Sequence, residues 1–401
     1  MATPSVARPS EVTRRLLPFA SIVFLGYCAV GLPISTLPLF VHQTLGFGTT
    51  IVGVVMGLAP VATLLTRPVA SRLAQRRGPR LCMMFGLVVT ACSGLAYLAA
   101  SAVSGLPALL FIIAGRIVLG VGDSLFTTAA NTWMVTTVGP QHAGRAMSWA
   151  GIAMYSAIAF SAPMGAVLGA FGFPAVAVTI AVLPLLALPI AMLLRGSPAA
   201  FAHTATFASV IGAMWAPGLG LVLASGGFGT IAAFLALRYA AMGWDGAGLA
   251  LSGFGIVYIA SRLAFAGLPD RLGGVRVAVF CLVTEACGLC LIATARSELM
   301  ALLGTALTGL GYSMVFPSLG VEVVRRVPPE RRGAALGAFL ACFDLGLGAA
   351  GPVMGVLAAG RGLPAAFYGA AIASLVSLGL VWVTRTRPHP RFSAHLRDRR
   401  P

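Results

Sequence analysis

R-P-V-A-S-R-L-A-Q-R-R-G-P-R, residues 67–80, lies between two long apolar segments. Its outline returns 195 residues later as R-L-A-F-A-G-L-P-D-R-L-G-G-V-R, from Arg262 to Arg276. Arg67 corresponds to Arg262, Gln75 to Asp270, Arg76 to Arg271 and Gly78 to Gly273. A polar, arginine-rich hairpin with a glycine, repeated once between apolar helices, is the mark of a duplicated membrane protein.

Composition agrees. The chain is 58% hydrophobic and only 9% charged, with mean hydropathy +0.95, where a soluble domain averages about 25% charged. The apolar runs are continuous and long enough to span a bilayer as helices. A membrane barrel would alternate apolar and polar residues instead. Cys28, Cys82, Cys92, Cys281, Cys287, Cys290 and Cys342 all fall in apolar runs and read as buried small hydrophobes. Cys287 and Cys290 have the spacing of a metal or redox pair, but no second pair accompanies them.

Working outward, twelve spans are expected, at about 16–41, 51–71, 81–102, 108–135, 144–170, 173–194, 216–240, 247–268, 277–295, 299–324, 333–359 and 364–384. The first is too long for a signal-peptide core and lacks a small-residue cleavage site, so it reads as retained. The expected organisation is a polar segment (1–15), a six-helix bundle (16–194), a linker (195–215), a second bundle (216–384) and a basic tail (385–401). Every basic residue is arginine. The N-terminus, the tail and the even-numbered loops hold 21 of the 27, the odd-numbered loops and adjoining helix ends hold only Arg238, Arg296 and Arg361, and Arg67, Arg116 and Arg262 lie within helices. That bias puts both termini in the cytoplasm. It also explains the net charge of +17 without nucleic acid, since these arginines face cytoplasm and anionic headgroups.

The duplication extends further. Pro140-Gln-His-Ala-Gly144 returns as Pro329-Glu-Arg-Arg-Gly333, and Pro163 returns as Pro352, both at an offset of 189. Six helices bring the chain back to its starting side, so the halves are parallel repeats about an axis along the membrane normal.

This arrangement resembles the major facilitator superfamily over essentially the whole chain. The family signature between helices two and three is roughly G-x-x-x-D-R-x-G-R-R. Here Ser71 stands for its glycine and Gln75 for its aspartate, followed by Arg76, Gly78 and Arg80. The second copy keeps Asp270, Arg271 and Gly273. Arg116-x-x-x-Gly120-x-Gly122 looks like the helix-four motif of the family's proton-coupled exporters, and A-P-M-G at 162–165 like a reduced form of their helix-five motif. Strings such as G-L-P-I-S-T-L-P-L-F-V-H (31–42) and G-Y-S-M-V-F-P-S-L-G (311–320) resemble the bacterial YhhS/YfcJ-type group of mostly uncharacterised permeases. The resemblance implies an all-α fold of twelve transmembrane helices in two pseudo-symmetric six-helix bundles. It further implies a multi-pass protein of the bacterial cytoplasmic (inner) membrane, acting as a monomer by alternating access. In that family the hairpin latches the halves on the cytoplasmic side, its aspartate set against a helix end. With neutral Gln75 in the first copy, an asymmetric latch is expected, dominated by Asp270 and Arg271.

Charges at membrane depth are expensive and need partners. Counted along the helices, Arg67 and Asp123 lie at similar depth, about sixteen and fifteen residues from the outer ends, and are expected to pair. Arg116 sits two turns further out. Arg262 and Glu285, each about eight residues from the hairpin that joins their helices, form a second expected pair. Such pairs either hold helices in register or separate during proton or gate coupling. Asp344, about eleven residues into its helix, is near mid-membrane. A carboxylate there suits a proton carrier, or else a packing aspartate bonded to neighbouring hydroxyls.

The substrate cavity is expected between the halves. Helix one offers Tyr27, Ser35 and Thr36; helix four Thr127 and Asn131; helix five Tyr155. Helix seven offers Phe228 and Phe234, and helix ten Tyr312 and Phe316. Aromatics with few polar groups suit a small amphiphile or apolar molecule. There is no G-x-x-x-x-G-K-[ST] loop for ATP, no metal cluster and no catalytic set, so no cofactor is expected and no enzymatic activity. The reading is a proton-coupled exporter of a small amphiphilic molecule. An importer of a sugar or organic acid, or a non-transporting membrane sensor, is the alternative.

Overall fold

The structure is a computed structural model. It describes residues 9–139, 142–194, 196, 208–265, 267–328 and 331–385. The expected polar segment, linker and basic tail lie partly or wholly outside these residues. Among the described residues, twelve helices are long and apolar enough to cross a membrane: spans 1 to 6 are Glu11–Thr44, Thr49–Arg77, Pro79–Ser101, Gly105–Val138, Arg145–Ala170 and Phe173–Leu193. Spans 7 to 12 are Met214–Ala241, Ala247–Phe265, Gly274–Thr294, Glu298–Arg326, Ala335–Arg361 and Leu363–Trp382. In hydrocarbon every backbone polar group must be satisfied internally, which leaves a helix as the form such apolar runs take.

The two sixes pack alike. Span 1 packs on spans 5 and 6, span 3 on spans 4 and 6, and span 2 on span 4. Span 7 packs on spans 11 and 12, span 9 on spans 10 and 12, and span 8 on span 10. The duplicated hairpins also match in backbone: Gly78 and Gly273 hold φ +87° and +89°, a conformation L side chains rarely adopt. Large apolar side chains such as Leu65, Phe85 and Leu193 are exposed around the outside, as a lipid-facing belt requires. Cys92 and Cys287 are exposed as well, contrary to the expectation that all seven cysteines are buried.

The halves meet along two symmetric seams at the end away from the hairpins. Span 2 crosses span 11, where a Cβ on Gly53 would collide with the Gly351 carbonyl and one on Gly351 with the Gly53 carbonyl. Span 5 crosses span 8, where the Ser252 hydroxyl donates to the Ala159 carbonyl at 2.7 Å. That carbonyl is free because Pro163, four residues on, has no N–H to give it. Pro352 frees the Gly348 carbonyl of span 11 in the same way, and that oxygen faces Gly57 of span 2. The matched prolines thus supply acceptors to the seams. Spans 1 and 7 fill the same end, with residues 31–38 and 224–231 all buried.

Helix ends run past the apolar windows. Span 4 is helical over Gly105–Val138, and the seventh helix begins at Ala208 rather than 216. The window marks what a bilayer needs, not where backbone hydrogen bonds stop. Span 10 is interrupted at Met314, because Pro317 cannot donate to the Ser313 carbonyl.

Candidate functional site

Between the halves lies a cavity of about 240 Å³. Beginning at Met56 and Gly351 beside the sealed end, it runs past Asn131 and Met147 toward the arginine-rich end. Spans 1, 2, 4, 5, 7, 8, 10 and 11 all line it.

Its charged groups are Arg67, Arg116, Arg262, Asp123 and Asp344. Arg67 pairs with Asp344 across the two halves. Nε donates to Oδ2, and Nη2 to Oδ1 at 3.0 Å. This corrects the expected Arg67–Asp123 pair. Side chains on a helix lean toward its N-terminus. Arg67 therefore reaches back along span 2 to the level where span 11 crosses, and Asp344 lies one turn before Gly348 there. Asp123 instead accepts from the Thr63 hydroxyl at 3.2 Å, and its Oδ1 has no partner among the described residues.

Arg116 has a local account. Nη2 donates to the Met56 carbonyl at 2.6 Å and Nε to the Val55 carbonyl at 3.1 Å. Met56 lies four residues before Pro60, so its carbonyl lacks a helical donor. The guanidinium fills that gap and ties span 4 to span 2.

The expected Arg262–Glu285 pair is also absent. Arg262 donates to the Tyr258 hydroxyl at 2.6 Å. Glu285 is fully buried against Gly227 of span 7, outside the cavity, and neither carboxylate oxygen closes a hydrogen bond among the described residues. The physical reason is packing order: span 10, not span 9, lies against span 8.

Aromatic rings form one side of the wall, among aliphatic residues such as Ile34, Leu119, Met154 and Leu347. Tyr155 of span 5 stacks on Tyr258 of span 8 at 3.7 Å. Phe228 of span 7 stacks on Tyr312 of span 10 at 5.9 Å and on Phe254 at 5.1 Å. Of the expected cavity residues, Tyr27, Thr127, Asn131, Tyr155, Phe228, Tyr312 and Phe316 line it. Ser35, Thr36 and Phe234 do not. The two hydroxyls turn back to the Leu32 carbonyl at 3.4 Å, and the Phe234 ring backs the Gly53 seam. Sequence reasoning passed over Tyr258 and set Arg262 against Glu285. Phe254, Tyr258 and Arg262 follow at i, i+4 and i+8, a one-faced stripe that marks them in the sequence.

At the hairpins, Gln75 donates to Ser71 within its own helix at 3.2 Å. Arg80 donates to the Met192 carbonyl in the same half. Arg76 and Arg271 are exposed. The Asp270 side chain lies outside the described residues. No group of three or more potential metal ligands occurs among those residues.

Comparison with known proteins fits this geometry. The profile of the Major Facilitator Superfamily matches residues 19–246 and 218–400. The chain is 40% identical over 390 residues, 96% of each protein, to the uncharacterized MFS-type transporter YhhS of Escherichia coli K12. An uncharacterized MFS-type transporter of Pseudomonas aeruginosa is 40% identical over 409 residues, 98% of this chain and 96% of that one. Among solved structures, the nucleoside transporter NupG superposes with TM-score 0.77 at 15% identity, covering 93% of this chain and all of that one. A D-xylose-proton symporter gives 0.75 at 14%, covering 92% and 97%. At such identities the structures speak for the fold alone.

Proposed function

Since the chain belongs to the major facilitator superfamily and is a multi-pass membrane transporter, we propose that it exports a small amphiphilic molecule in exchange for protons, by alternating access. The observation that carries the coupling is the Arg67–Asp344 pair. It joins the two halves, and it sits in the cavity beside the seam of spans 2 and 11. With Asp344 ionised, Arg67 is held and the seam stays shut. A proton taken up by Asp344 while the seam is open on the far side is expelled toward the near side as the seam closes and Arg67 takes its place, and bound substrate then competes with the restored pair to part the seam again. Removing one partner of a buried pair costs about 3–5 kcal/mol, enough to move a conformational equilibrium by roughly 10²- to 4 × 10³-fold at 1.4 kcal/mol per decade. In this structure the far end is sealed, so the cavity belongs to the side bearing the hairpins, the cytoplasm by the arginine bias. The likeness of Arg116-x-x-x-Gly120-x-Gly122 to the exporter motif supports the outward direction.

The test is Asp344→Asn in proteoliposomes with an imposed pH gradient. Gradient-driven flux is expected to fall to the passive level while the protein remains folded and monodisperse. Undiminished driven flux sinks the proposal.

A further inference from the structure

The three arginines of the cavity are not equivalent. Arg67 is neutralised by Asp344. Arg116 is spent on two backbone carbonyls. Arg262 has neither kind of partner. Its hydrogen bond goes to the Tyr258 hydroxyl, a neutral group, and its guanidinium carbon lies 5.7 Å from that ring's centre. No described carboxylate comes within 4.0 Å of it. A guanidinium has five N–H donors in a planar fork that matches a carboxylate edge to edge. One of these is accounted for by Tyr258.

Space and charge around it point the same way. Gly151 of span 5 lies against the guanidinium, where an added Cβ would be in contact at 3.7 Å, so no side chain at that position covers the fork. Three arginines against two aspartates leave the cavity one positive charge in excess when all are ionised. A desolvated cation without a counter-charge is costly, and a bound anion removes that cost. Next to Arg262, Tyr155, Tyr258, Phe228 and Tyr312 bring rings from four spans into one wall. Such a wall takes a flat apolar body by stacking. The volume of about 240 Å³ is below the roughly 300–1,000 Å³ of most ligand pockets, which limits the occupant to a small molecule.

We propose that Arg262 receives the carboxylate of a small organic monoanion whose flat, apolar or aromatic body lies against Tyr258, Tyr155 and Phe228. This names the substrate class for the transport reading above and rests on it in taking the cavity as the substrate site.

The test is equilibrium binding to the purified full-length protein, by calorimetry at fixed ionic strength, with three probes of one shape: benzoate, benzamide and benzylamine. Benzoate is expected to bind at least tenfold more tightly than benzamide, with benzylamine weakest. In Arg262→Gln the benzoate advantage over benzamide disappears. In Arg262→Lys, which keeps a positive charge without the fork, part of it survives, and this variant settles the matter if the first does not fold. Equal binding of benzoate and benzamide by the native protein, no binding of either, or an advantage that persists in Arg262→Gln overturns the proposal. The two readings fail separately. Loss of the charge preference with proton-driven flux of a neutral or cationic molecule intact removes only the anion assignment. An intact preference with normal flux in Asp344→Asn removes only the coupling.

Discussion

The glycine seam gives the most direct handle on alternating access. Consider Gly53→Ala. The added methyl would lie within contact distance of the carbonyl oxygen and carbon of Gly351, backbone atoms that no rotamer change can move aside. Spans 2 and 11 must separate locally, which also strains the Thr49 and Thr50 hydrogen bonds to the Gly355 carbonyl, at 3.3 and 3.4 Å. Overpacking of this kind costs about 1–3 kcal/mol. The clash exists only while the seam is closed, so the whole penalty falls on this state. At 1.4 kcal/mol per decade, the balance shifts toward the state open at the far end by roughly 5- to 150-fold. The reporter is Thr50→Cys in a background lacking the native cysteines, in intact cells, with a membrane-impermeant maleimide added outside. Labelling of the cysteine is expected to accelerate by that factor when Gly53→Ala is added. Unchanged or slower labelling, in protein that keeps its thermal stability, would refute the view that this seam is what opens.

Two further predictions concern the hairpins and the energetics. Asp270→Asn is expected to reduce driven flux several-fold, whereas Gln75→Ala changes it less than twofold, because only the second hairpin retains a charge to set against a helix end; equal losses in the two variants would remove the asymmetry. If a monoanion leaves as one proton enters, two charges follow the membrane potential, worth about 4.6 kcal/mol at 100 mV. Vesicles held at zero potential by a potassium ionophore should then accumulate far less of the anion than vesicles with the potential imposed, and identical accumulation would exclude that stoichiometry.

Much of this was legible in the residues. Continuous apolar runs, the repeated hairpin and the arginine bias gave twelve spans in two matched sixes, because each reflects a constraint the bilayer applies locally. The partners of the charges were not legible in the same way. Depth along a helix can be counted, and it placed Arg67 level with Asp123 and Arg262 level with Glu285. Depth does not say which helices are neighbours. Arg67 met Asp344 because span 11 crosses span 2, and Glu285 was withdrawn from Arg262 because span 10 stands against span 8. Proline positions carried more than was taken from them: an interior Pro60 leaves the Met56 carbonyl without its donor, which already asks for a partner such as Arg116.

The unneutralised Arg262 also bears on the return journey. A transporter whose vacant cavity holds a surplus positive charge must carry that charge through the low-dielectric core each time it resets empty. With an anion aboard, the same stroke is electrically silent. Loaded reorientation is then the faster of the two, and the molecule behaves as an exchanger: anion presented on the far side hastens release of anion from the near side, and the protein idles when neither side supplies it.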